Sequence, residues 1–543
     1  MVFARRSTTL LAAIIASCAM VLSLTACTSD NKTVVDGQTT VTSNSAGGVA
    51  VFTPSDGITL NQQTPLNKWA KLVPDLAKAL ADAGFKKGDI DHTTSDSLAK
   101  QSRAIQDFVV DHLSNNTTDD SGIAIAPDNM TLLVAPVVEA DASTRQYGDY
   151  ISQNLSTNDA TDGEATSDGE SSEDDSSKDD SSNTESDSTA SDEQAQAVDR
   201  LVSSLKLAKE SGMHVVLLGN SIEGYKPDAF VKFSDAQTIG KLQAEKMVSK
   251  LKLDKASKDN PKYIEVLLPY TAVDEKGNAN DSTFAQEAFR GIWQVLGSYY
   301  QKGVVESPSG TLDGKSTEND WQAVAYDAAK EGSTAKVLDK RLAKTDGQST
   351  LTRIDGIITM NDYIASEVVK ELDDLGYTGS AADINPQITI SGIVGNITGK
   401  KDLSRDAVPD PIKSPENDNA NDSSSSDDDA DEDTSASDKD RDSQWPLVTG
   451  YGAYVSNIPS IVNGKQWMTV MEDRQTIATD IAQACAKLNK DEALNSMPSI
   501  RNSEVGGVKK IPTINEPLLA VSAGNLKSAL IDPGYISLAD AGL

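Results

Sequence analysis

The chain has 543 residues, 82 acidic and 49 basic, for a formal net charge of −33, and 38% of it is hydrophobic. At ~100–200 residues per domain, that length calls for two or more compact units. The charge excludes a nucleic-acid binder, which needs a basic face against phosphate, and it excludes electrostatic docking on an anionic bilayer. Two stretches carry most of it. Asp159–Glu193 has 14 acids and one base (Lys178), net −13, and Glu416–Asp442 has 12 acids and two bases (Lys439, Arg441), net −10. Both are Ser/Asp/Glu sequences nearly without apolar residues, so they cannot bury enough surface to offset chain entropy. They predict disordered inserts at 156–195 and 414–444 in an otherwise mildly acidic globule.

Met1–Thr25 has the layout of a leader. Arg5 and Arg6 precede an apolar stretch from Leu10 to Leu24 that is too short and too rich in Ala and Ser to span a membrane. It ends in Leu24-Thr25-Ala26-Cys27, which resembles the bacterial lipobox, where a small residue precedes a cysteine whose thiol is acylated. The expectation is a signal peptide over 1–26, lipidation at Cys27 and a flexible tether to residue 48. Such an anchor holds the body at the membrane without spanning it. Cys18 falls in the leader, so Cys485 is left alone and no internal disulfide is expected. Its neighbours Ile477, Ile481 and Ala484 suggest a helix face and a buried, inert thiol.

From Gly48 onward, short apolar runs alternate with amphipathic segments. Val49–Phe52 reads as a strand. Thr64-Pro65 then offers a cap and a first-turn proline for Leu66, Trp69, Val73, Leu76 and Leu80 at helical spacing, and Gly84 closes the helix. Ser95–Leu113 reads as a second helix with His112 on its packed face. Leu132–Pro136 is a strand, Ala195–Gly212 a helix, and His214–Leu218 and Ala229–Phe233 are strands. Helix Thr238–Leu251, strand Tyr263–Leu268, helix Ser282–Tyr300 and helix Trp321–Ala343 come next. Strand Ile354–Thr359, helix Tyr363–Leu375 and strand Gln387–Ile390 continue the pattern. The alternation predicts an α/β protein with parallel sheets covered on both faces, and the length predicts two doubly wound lobes.

In such sheets ligands bind beyond the carboxyl ends of the strands. That rule selects Ser55, Asp56, Glu139, Asn220, Tyr270, Asn361, Asp362 and Tyr451. Taken singly each reads as a turn or cap residue, and only the shared topological position raises them. Catalytic and metal chemistry finds little support. The chain has three histidines, and HExxH, CxxC and GxSxG are absent. Asp427–Asp433 lacks the glycine and closing Glu of a Ca²⁺ loop, and Gly392-Ile-Val-Gly395 is no phosphate loop. No enzyme, cofactor or metal is expected.

Several stretches carry a family likeness in order: Ala208-Lys-Glu-Ser-Gly-Met-His-Val-Val216, Ile239-Gly-Lys-Leu-Gln-Ala-Glu245 and Ile354-Asp-Gly-Ile-Ile-Thr-Met-Asn-Asp362. Val448-Thr-Gly-Tyr-Gly-Ala453, Ile461-Val-Asn-Gly-Lys-Gln-Trp-Met-Thr-Val470 and Leu530-Ile-Asp-Pro-Gly-Tyr535 follow. Together they resemble the sugar-binding lipoproteins and periplasmic proteins of ABC importers, in the xylose or multiple-sugar subgroup. The resemblance implies a type I periplasmic-binding-protein-like fold, two lobes joined by a three-crossover hinge. The crossovers are expected near Asn220–Gly224, Thr449–Tyr451 and Trp467–Val470. It divides the body into a first lobe of 49–222 plus 451–467 and a second of 223–450 plus 468–543. It also adds Asn278 or Asn280, of which Asn280 joins the ligand set.

The departures bear on specificity. Gly219-Asn220 stands where the family carries a ligand-gripping Asp-Arg, Tyr451-Gly452 where it has Gln-Asp, and Pro136-Val-Val-Glu139 where it has Pro-Ile-Asp-Gly. Only Asn361-Asp362 keeps the family pair. The implied function is a lipid-anchored extracytoplasmic receptor that captures a sugar by hinge closure and delivers it to an ABC permease. Two rivals are a nucleoside or other small-metabolite receptor on the same fold, and a surface sensor that has lost transport.

Overall fold

A computed structural model describes residues 46–55, 65–115, 125–138, 145–157, 185–273, 280–328, 330–343, 350–381 and 443–543. Asp56, Glu139, the leader with Cys27, the tether up to residue 45, the second acidic run, most of the first and the strand expected at Gln387–Ile390 lie outside the described residues.

The first sheet follows from apolar runs buried on both faces. β1 (Gly48–Pro54) sends Val49 and Val51 to one face and Ala50 and Phe52 to the other. α1 (Trp69–Asp82), β2 (Ile90–Ser95), α2 (Leu98–Asn115), β3 (Met130–Val134) and β4 (Asn154–Leu155) come next. α3 (Glu185–Glu210), β5 (His214–Leu218), β6 (Ser221–Ile222) and β7 (Ala229–Val231) complete this stretch. β3 and β5 divide as β1 does, with Leu133, Val216 and Leu218 on one face and Leu132, Val134, Val215 and Leu217 on the other. Such strands carry no polar alternation because neither face meets water. α1 covers the first face through Trp69, Leu72, Leu76 and Leu80. α2 and α3 cover the second through Leu98, Ile105, Val109, Leu201 and Leu205.

The chain then passes to a second sheet. α4 (Ala236–Leu251), capped by the Asp235 side chain, precedes β8 (Lys262–Val266), β9 (Leu268–Pro269), α5 (Thr283–Gln301) and β10 (Val305–Glu306). α6 (Trp321–Val324), β11 (Ala325–Tyr326), α7 (Ser333–Arg341), β12 (Gly356–Ile358), α8 (Asp362–Leu375) and β13 (Leu447–Val448) follow. The order is β10-β8-β12-β13, all parallel. α9 (Ile458–Val462) and β14 (Met468–Met471) end this passage, and the chain returns to the first sheet with α10 (Arg474–Leu488), β15 (Ile500–Val505) and β16 (Val508–Ile514). A last crossing leads to β17 (Leu519–Ser522), antiparallel to β14. The first sheet is ordered β15-β16-β7-β5-β3-β1-β2, parallel except for β15.

The chain therefore crosses between sheets three times, at 232–235, 472–473 and 515–518. This corrects the positions expected from sequence. Ser221–Ile222 pairs with β4 inside the first lobe, so Asn220–Gly224 is no crossing. Thr449–Tyr451 follows β13 within the second lobe, and Trp467–Val470 enters β14, just before the real crossing. Lobe boundaries at 222/223 and 467/468 would cut the larger sheet. β7, β15 and β16 belong to it, and Ile477, Ile481 and Cys485 of α10 pack with Val49 and Trp69.

Other differences have local causes. α1 starts at Trp69 rather than Pro65, because Lys68 is extended and Leu66 N donates away to Gly452 O at 2.9 Å. The helix expected over Trp321–Ala343 is broken into α6, β11 and α7, with Gly332 at φ +71° before the last. α3 reaches back to Glu185, inside the first acidic run, so that run is not disordered to its end. An acid-rich sequence suits the positive amino end of a helix. Cys485 is buried as expected, and burial pushes its thiol pKa up. His112 is buried against Phe108. Among the described residues no helix is long and apolar enough to cross a membrane.

Candidate functional site

Each sheet has a point where strand order reverses. β2 and β3 flank β1 in the first lobe, and β10 and β12 flank β8 in the second. Crevices for ligands open at the carboxyl ends of such pairs. Those ends are Ser55 and Ala135–Val138 on one side, and Leu267–Tyr270 and Thr359–Asn361 on the other.

The candidates meet different fates there. Ser55 is exposed, its backbone N held by Ser95 O. Asn220 is buried and spends its amide on the first lobe, accepting from Gln153 N and donating to Pro136 O, both at 2.9 Å. Tyr270 donates its hydroxyl to Asn280 O at 3.1 Å and meets Trp321 edge-on. Asn280 in turn donates to Thr271 O at 2.8 Å, so the pair closes its own loop. Asn361 caps α8 by accepting from Ile364 N at 2.9 Å. Its amide nitrogen reaches across the cleft to Gln146 Oε1 at 3.1 Å. Met360 just before it holds φ +66°, a left-handed conformation that a non-glycine residue adopts at a cost.

Asp362 is fully buried and has its acceptors filled. Tyr454 N at 2.9 Å and Thr469 Oγ1 at 2.8 Å bond one oxygen, and Gln466 Nε2 at 2.7 Å bonds the other. Burial raises its carboxyl pKa to about 6 against the pull of these donors. A Cβ at Gly450 would come 2.1 Å from Asp362 Oδ1, so only glycine lets the β13 loop lie this close. Asp362 N also donates to Tyr451 O at 3.0 Å. The carboxylate thus braces the second-lobe wall, its oxygens taken up by these donors.

Tyr451 is fully buried and leads to a polar knot at the hinge. Its hydroxyl lies 3.5 Å from Glu472, which sits on the second crossing. Glu472 Oε1 accepts from Ser234 N at 2.8 Å and from the Ser234 hydroxyl, on the first crossing. Glu472 N donates to Asn67 Oδ1 at 3.4 Å, in the first lobe. Burial holds this carboxyl at about 7. A cavity of about 230 Å³ adjoins it, lined by Lys232, Ser234, Thr238, Glu472, Asn515 and Glu516 from all three crossings. Sequence reasoning missed Glu472, although the strand-end rule reaches it once β14 is known to be a strand.

The cleft itself holds groups that no periodicity announced. Tyr147 comes from the first lobe and is fully buried, its ring centroid 4.6 Å from Phe284 and 6.0 Å from Tyr451. Tyr454 donates its hydroxyl to Gln146 O at 2.6 Å. The Tyr147 hydroxyl lies beside the Asn361 side chain but makes no well-formed hydrogen bond among the described residues. An unsatisfied buried polar group costs about 1–3 kcal/mol. Aromatic faces with a few amide and hydroxyl groups suit a small ring bearing hydroxyls. Among the described residues, no group of three or more His, Cys, Asp or Glu is placed to hold a metal ion.

No protein-family model matches the sequence, and no curated protein matches it. Solved structures do resemble it. One is an ABC transporter solute-binding protein from Clostridium phytofermentans with bound β-D-glucose, at 17% identity and TM-score 0.44, covering 91% of this chain and 99% of that one. Another is a carbohydrate transporter solute-binding protein from Chloroflexus aurantiacus in complex with D-glucose, at 18% identity and TM-score 0.44, covering 91% and 98%. A third is a periplasmic ribose ABC transporter protein from Conexibacter woesei, at 14% identity and TM-score 0.42, covering 90% and 96%.

Proposed function

We propose that the protein is a receptor without catalysis, which captures a sugar between its two lobes and passes it to an ABC permease. One observation carries this reading: three separate crossings join two parallel-sheet lobes whose strand-order reversals both border the cleft. Three parallel connections form a hinge that bends without letting the lobes swivel freely, and hinge closure around a ligand is how such folds signal occupancy. The lipobox-like Leu24-Thr25-Ala26-Cys27 supports an anchor through Cys27 and an extracytoplasmic place for the body. Thermal melting against pentoses, hexoses and short oligosaccharides tests the reading, because a ligand that binds only the folded state raises the midpoint. A shift with at least one sugar is expected, and no shift with any of them sinks it.

A nucleoside or other small metabolite is the second reading. Gly219-Asn220 in place of a charged grip, and separately the aromatic rings of Phe284 and Tyr451 around Tyr147, favour it. Native mass spectrometry of the protein as purified from cells separates the two by the mass of what it carries.

A further inference from the structure

The cleft between the lobes is filled by the chain itself. Asp149 fixes one short turn to the first lobe, accepting from Lys68 Nζ at 2.8 Å and Trp69 N at 3.0 Å. Tyr150 adds a bond from its hydroxyl to Lys68 O at 2.5 Å. From this base, Gln146 and Tyr147 project into the second lobe. Gln146 takes the Asn361 amide and the Tyr454 hydroxyl, and Tyr147 lays its ring between Phe284 and Tyr451. Asn361, Tyr451 and Tyr454 sit just after second-lobe strands β12 and β13, where a ligand is expected, and Phe284 lies in the first turn of α5.

The fit is incomplete at one atom. Tyr147 is sealed from solvent, yet its hydroxyl, beside the Asn361 side chain, makes no well-formed hydrogen bond among the described residues. A ring with several hydroxyls could instead take up the Asn361 and Tyr454 donors that Gln146 now holds.

We propose that Gln146 and Tyr147 are a built-in competitor for the ligand site, and that ligand enters by exchanging with them. On the receptor reading given above, on which this rests, the incoming group is a single six-membered ring bearing hydroxyls. It takes the place of the phenol ring and the Asn361 contact of Gln146. Affinity is then set by how firmly the turn is seated as well as by contacts to the sugar. The receptor binds weakly until the turn leaves, and a substitution that loosens the turn strengthens binding.

Calorimetric titration of D-glucose, D-xylose and D-ribose into wild type and Y147A tests this. Y147A is expected to bind at least one sugar about tenfold more tightly than wild type, with 4-methylphenol, which matches the deleted ring, competing for the site. An affinity unchanged or weakened in Y147A overturns the exchange while leaving the receptor reading in place. Absence of binding by every sugar in both proteins overturns the receptor reading, and the exchange falls with it. If Y147A does not melt cooperatively, Q146A carries the test. It frees Asn361 while keeping the ring, a gain of about threefold is expected, and no gain overturns the proposal.

Discussion

At Glu472 one carboxylate meets two of the three crossings and both lobes. Its pKa is about 7 in the folded protein and 4.5 is the ordinary value, and burial is the main cause. A carboxyl raised on folding binds its proton more tightly in the native state. The stability it contributes is therefore complete below pH 4.5 and is lost as the pH rises through 7. Glu472→Gln keeps an oxygen for Ser234 and Tyr451 without a charge to desolvate. Melts are expected to match wild type near pH 5 and to exceed it at pH 8, by up to about 3 kcal/mol. An identical pH profile in both proteins would show that the carboxyl is not desolvated. Tyr147→Phe removes a hydroxyl that makes no well-formed hydrogen bond among the described residues. Urea unfolding should find it no less stable than wild type, and up to about 1–2 kcal/mol more stable. A loss of that size would mean the hydroxyl is bonded after all.

Among the elements, the loop after β13 has the least room. Gly450→Ala drives a methyl into Asp362 and Gln466, with contacts of 2.1 and 2.6 Å. A loss of at least about 2 kcal/mol in thermal unfolding is expected, and a loss under half of that would mean the bracing around Asp362 can shift. The same scale explains what sequence could reveal. β1, β3 and β5 were legible because burial on both faces leaves an apolar run, and α8 because Asn361 is a cap beside a strand end. β2 was missed because four of its six residues are exposed and none of the apolar signal survives. β14 and β17 pair only with each other, and the β15–β16 hairpin alternates polar and apolar residues weakly. Topological position found Asn361 and Tyr451 at the cleft but could not tell a ligand-facing group from a brace such as Asp362 or a clip such as Asn220. Tyr147 lies in a stretch with no periodicity, and only packing reveals it.

For the whole molecule, the larger sheet draws strands from the beginning and the late part of the chain. The second lobe is enclosed between β7 and α10. A chain ended at Glu472 lacks α10, β15 and β16 and exposes the face of Val49, Trp69 and Val216 that α10 shares. Such a chain is expected to lose cooperative melting and to bind a hydrophobic dye. A sharp transition matching the full-length protein would mean that the first lobe is complete without them.

That enclosure also fixes a timetable. A chain made or moved amino end first presents β1 to β7 early, then holds one edge of that sheet and the α1 side without their partners while the whole second lobe emerges. Pairings between distant residues form slowly, and here the last of them waits for residues beyond 500. Such a chain stays incompletely folded until nearly all of it has emerged.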